Sequence, residues 1–171
     1  MDPMSLIVLR AVHVVAGAFW VGAALMLVAF VAPTVRALGP DGGRFMQRLL
    51  AHSRFPEAMG LASALTTLAG LALLWPASGG LQGAWLRSAP GAALALAALV
   101  GLAAFAVGLA VNKPAAAGLA RLGAEIGGGA PSTEQAARLA TLQRRLRLGG
   151  LWGAALLVLS TLGMGVARYL G

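Results

Sequence analysis

The stretch LIVLRAVHVVAGAFWVGAALMLVAFVA, residues 6–32, carries two ionisable side chains, Arg10 and His13, and none after them. As an α-helix rising 1.5 Å per residue it reaches roughly 40 Å, more than the ~30 Å hydrocarbon core of a bilayer. An ionisable group inside a membrane-spanning segment is costly and marks a site whose partner has to be found. His13 is that group. The stretch is too long for a signal peptide, has little positive charge before it, and is followed by Arg36, Arg44 and Arg48. It is expected to be an uncleaved first helix.

The rest of the chain agrees. Its 171 residues fit one domain, residues 1–171, and 59% of them are hydrophobic against 11% charged, far from soluble averages. Mean hydropathy is +0.83. Four apolar stretches qualify as spans, roughly residues 5–32, 56–76, 91–111 and 149–170. The expected fold class is therefore all-α, an integral membrane bundle of four transmembrane helices.

Net charge is +8, and the basic residues concentrate in two connections. Arg36, Arg44, Arg48 and Arg54 lie between spans 1 and 2; Lys113, Arg121, Arg138, Arg144, Arg145 and Arg147 lie between spans 3 and 4. Charge placed this way is a topology and anionic-lipid signal, and with no recognition motif beside it a nucleic-acid partner is not expected. The positive-inside rule puts the two connections in the cytoplasm and both termini and the 77–90 loop outside, in the inner (cytoplasmic) membrane of a cell. Trp75, Trp85 and Tyr169 would then mark the outer interface and Trp152 the inner one.

The first basic connection turns at Gly39-Pro40-Asp41-Gly42-Gly43, after which Phe45, Met46, Leu49 and Leu50 recur at helical spacing opposite Arg44, Arg48 and His52. This predicts a short interfacial helix facing water or lipid headgroups. In the second, Leu119, Leu122 and Ile126 form one stripe and Leu139, Leu142 and Leu146 another, with Ser132 and Gln135 spaced as a capping box. Spans 3 and 4 are expected to continue as a cytoplasmic helical hairpin about 20 Å long. Small residues four apart (Ala18 and Gly22, Gly60 and Ala64, Ala97 and Gly101, Ala104 and Gly108, Gly149 and Gly153) fit close helix packing in lipid.

Helical geometry puts His13, Gly17, Trp20 and Ala24 on one face, with Arg10 a turn away. Two roles stand for His13. In one it hydrogen-bonds a Ser or Thr of a neighbouring helix while Arg10 snorkels to the headgroups. In the other its imidazole ligates haem iron or copper, with Gly17 leaving room for a flat ligand and Trp20 packing on it. His52 falls at the opposite end of the bundle, so a bis-histidine haem is disfavoured, whereas Met164 in span 4 comes to about the depth of His13 and offers a His/Met pair. Met164 also suits plain packing.

Cysteine is absent, which excludes disulfides, iron–sulfur clusters and thiolate metal sites. The five carboxylates, Asp2, Asp41, Glu57, Glu125 and Glu134, all lie outside the span centres, which argues against proton-coupled transport. Ser63, Thr66, Thr67, Ser160 and Thr161 add modest polarity, and no nucleophile–base pair, phosphate loop or metal-ligand cluster can be read, so no enzyme activity is indicated.

From Arg10 through His13 to Trp20-Val-Gly22 the chain resembles the membrane domain of the copper-resistance CopD superfamily, in which a first-helix His precedes Trp-x-Gly. The likeness extends loosely over all four spans, including Arg54-Phe55-Pro56 and Ala84-Trp85-Leu86, and reaches the protoporphyrinogen oxidases of the HemJ type and uncharacterised relatives. For the copper-resistance type it implies copper handling at the cytoplasmic membrane, and for the oxidase type a haem-binding bundle. His13, Trp20 and Gly22 match the motif. The chain departs from the oxidases after Trp85-Leu86, where they carry a functional Lys and this chain has Arg87, and in a third span without histidine. The expectation is a CopD-like membrane protein that binds haem b or copper through His13; the alternative is an accessory or scaffolding subunit contacting other membrane proteins, or a second copy of itself, through its hairpin or small-residue faces, and a further alternative is an enzyme of the protoporphyrinogen oxidase type.

Overall fold

The computed structural model describes residues 1–171 and is all-α. Four continuous helical segments are long and apolar enough to cross a membrane: Pro3–Ala37, Phe55–Ala77, Ala89–Ile126 and Thr133–Ala167. Each contains one of the expected stretches through most of its length. Only 17 residues are buried, while Leu61, Leu68, Leu96 and Leu99 are each more than three-fifths exposed. A surface this apolar needs lipid as its solvent.

The first segment comprises α1 (Pro3–Met26), a π-helical turn (Leu27–Val31) and α2 (Ala32–Ala37). Asp2 caps α1 by accepting the Ser5 backbone N–H, with Pro3 at the first turn, where a missing N–H costs nothing. The π turn immediately precedes Pro33. Proline lacks an N–H and its ring crowds the carbonyl one turn back, and the wider turn, closed by the Ala32 N–H on the Leu27 carbonyl, relieves both problems. The same device recurs in the third segment, where α6 (Ala89–Val107) passes through a π turn (Gly108–Asn112) into α7 (Lys113–Ile126), with Pro114 just beyond and the Lys113 N–H on the Gly108 carbonyl.

Between the first two segments α3 (Pro40–Ala51) starts at Pro40, earlier than the glycine-rich run predicts. The turn is confined to Leu38 and Gly39, and Gly39 has the left-handed φ of 55°. Gly42 and Gly43 are helical. A Cβ on Gly42 would fall 2.0 Å from the Val35 carbonyl oxygen, so the glycine serves close contact between α2 and α3 rather than the turn. Then α4 (Phe55–Ala77) crosses back, and a bend at Ser78 with a short α5 (Gly83–Arg87) leads into α6, capped by Ser88. α8 (Thr133–Ala167) opens with both bonds of the Ser132/Gln135 capping box.

α1 packs most extensively on α4, and α6 on α8; the two pairs meet along α1/α8 and α4/α6. Trp20, Ala62, Ala104 and Leu157, one from each segment, form the central cluster. The Trp20 and Phe105 rings meet edge to face at 6.3 Å and 89°. The Ser160 hydroxyl ties α8 to α6 by donating to the Ala97 carbonyl at 2.8 Å. α7 packs against the first part of α8, with Gly118 against Leu142 and Leu122 buried, so the third and fourth segments run side by side here as a helical hairpin. α3 in turn packs on α7, bringing Gln47 against Gly123. The two basic connections therefore share one end of the molecule.

Candidate functional site

The His13 ring lies in the seam between α1 and α4, against Gly70 and the Thr66 carbonyl. In a helix the carbonyl of residue i lies beneath residue i+4. Gly70 stands four residues after Thr66, and with no side chain there the Thr66 carbonyl is open to a second donor. The His13 Nδ1 is 2.8 Å from it. A Cβ at Gly70 would lie 2.7 Å from His13 Cε1 and 3.0 Å from Nδ1, so only glycine accepts the ring in this position.

The carbonyl is solely an acceptor, so Nδ1 carries a hydrogen and donates; in the neutral ring Nε2 then keeps its lone pair. Nε2 has no protein partner and is not sealed from the surface. Close by, the buried Thr66 hydroxyl also has no partner, although a helical threonine ordinarily bonds a carbonyl one turn back. Thr34 and Thr161 do so, to Phe30 and Leu157 respectively.

The remaining candidates fall into different surroundings. Gly17 is on the same seam, but its open side is taken by the Thr66 methyl, 3.4 Å from where a Cβ would stand. Trp20 is buried in the four-helix core against Phe105. Met164 is half-buried on α8, next to Gly163, whose Cβ position touches Ala97 of α6. His52 ends α3 in the first basic connection and is not brought to His13. No three His, Asp or Glu side chains converge as a metal-ion site.

Gly70 was not distinguishable in the sequence from the other span glycines, and Thr66 stood only as one hydroxyl among five. A glycine four residues after a carbonyl leaves that carbonyl uncovered, but only the packing of α1 on α4 selects Thr66 and Gly70.

The fold and this seam define the class: a four-span helical membrane protein with one imidazole embedded among its spans. No family model, no curated protein and no solved structure matches the chain.

Proposed function

We propose that this chain is a CopD-like protein of the cytoplasmic membrane, with both termini outside and its basic hairpin in the cytoplasm, that holds a haem b through His13 Nε2. One observation carries the reading: Nδ1–H is fixed on the Thr66 carbonyl, which orients the ring and leaves Nε2 as the free ligand atom. Metal-binding histidines are held in this way, by a carbonyl or carboxylate on the ring nitrogen that does not bind.

A macrocycle would have to meet His13 from the lipid-facing side of the α1/α4 seam, because Thr66 fills the interior side and Trp20 packs in the core. A single imidazole suffices for five-coordinate haem iron. Copper asks for further soft donors, and Met164 on α8 is the one the chain offers at that depth. Haem would supply one-electron redox chemistry; the chain's own part is to hold it through His13 and to orient that ring.

Purification from haem-replete cells in mild detergent tests this. The reading expects a Soret band that sharpens and shifts with dithionite and is absent from His13→Ala. A colourless protein carrying stoichiometric copper would replace haem with copper as the ligand. A colourless, copper-free protein that co-purifies with other membrane subunits would favour the accessory reading.

A further inference from the structure

Two hollows flank Phe45 at the basic end of the bundle. One, about 220 Å3, is an almost wholly apolar trench along the end of the first segment, lined by Met26, Phe30, Thr34 and Leu38. The other, about 440 Å3, runs along α3 past Arg48 and Leu49 to His52. Phe45 borders both. The lipid-facing surface of a span thus leads, within one side chain, to a cationic pocket at the level where the span ends.

Charge decides what fits. Asp41 is paired with Arg44 at 3.1 Å, and the other ion pairs of this end, Arg121 with Glu125 and Arg138 with Glu134, lie on α7 and α8. Arg48 has no carboxylate partner. Ser53 beside it is already engaged, its hydroxyl donating to the Leu49 carbonyl and accepting from the Phe55 N–H. Arg48 and His52 are therefore the groups left to meet an anion, with an apolar trench beginning on the other side of Phe45.

We infer that this paired hollow is a specific site for one anionic phospholipid, its phosphate on Arg48 and His52 and an acyl chain in the Phe30–Leu38 trench. Guanidinium donors match phosphate oxygens in geometry and charge. Such a lipid would fasten α3 to the end of the first segment.

Native mass spectrometry of the full-length, delipidated protein in detergent tests the site, with phosphatidylglycerol and phosphatidylcholine of identical chains as probes. The expected result is one tightly retained phosphatidylglycerol per chain in preference to phosphatidylcholine, with a preference that drops about fivefold or more in Arg48→Gln/His52→Gln. Arg144→Gln/Arg145→Gln, which removes charge elsewhere on the basic end, should keep it. Phe45→Ala should weaken retention of both lipids. Equal binding of the two lipids by the wild type, or an equal loss in the Arg144/Arg145 control, would overturn the assignment.

Discussion

His13 on the first span donates its Nδ1 hydrogen to the backbone carbonyl of Thr66 on the second, at 2.8 Å, through a gap that exists because residue 70 is glycine. The bond joins the two spans of one helix pair, α1 and α4, and leaves Nε2 without a protein partner.

Gly70→Ala places a methyl group 2.7 Å from His13 Cε1. The ring must leave the Thr66 carbonyl, and overpacking of this kind costs about 1–3 kcal/mol. Gly60, on the same helix, has nothing within 4 Å of its Cβ position, and Gly60→Ala should stabilise by about 0.5–1 kcal/mol. Equilibrium unfolding in detergent checks both. Opposite signs are the expected outcome.

Gly149 meets the π turn of the third segment: a Cβ there would come 2.2 Å from Asn112 Oδ1 and 2.8 Å from Val111. Gly149→Ala should destabilise by about 1–3 kcal/mol. The Asn112 Oδ1 is buried without a partner, so Asn112→Ala removes an uncompensated group and should be close to neutral. In the double variant the alanine at 149 finds space, and much of the loss should return. Additive effects in a double-mutant cycle would show that the two residues do not meet.

Asp2 accepts from the Ser5 hydroxyl and backbone N–H, and these bonds hold its carboxyl below the ordinary value of 3.8. A carboxyl whose folded pKa is depressed contributes stability above the unfolded value and loses it as pH falls through the lower folded one. Asp2→Ala should therefore lower the amide-exchange protection of the first turn of α1 near neutral pH. Once the pH is below the folded pKa, the difference from wild type should shrink.

Hydropathy and charge made the four spans and the clustering of the basic connections legible, because lipid imposes both over long stretches. Which side of a helix meets a neighbour was not legible. Of the five small-residue pairs, Ala97/Gly101 lies at Ser160 and Gly149/Gly153 at Asn112, whereas Gly22, Gly60 and Gly108 face open space. The spacing is identical in all five; the rotation of each helix distinguishes them, and rotation is set by tertiary packing. The π turns before Pro33 and Pro114, through which both segments continue, were not legible either. His13 stood out as an ionisable group in an apolar run. Its partner did not, since every residue has a carbonyl and only the register of α1 against Gly70 selects the one at Thr66.

Titration of the detergent-purified chain with haem, followed by its Soret band, tests the ligand role of His13 most directly. Saturable one-to-one binding is expected in the wild type and in His52→Ala, with loss of the histidine-ligated spectrum in His13→Ala. A His13→Ala protein that binds haem with the wild-type spectrum and affinity, or a wild type that binds none, would contradict it.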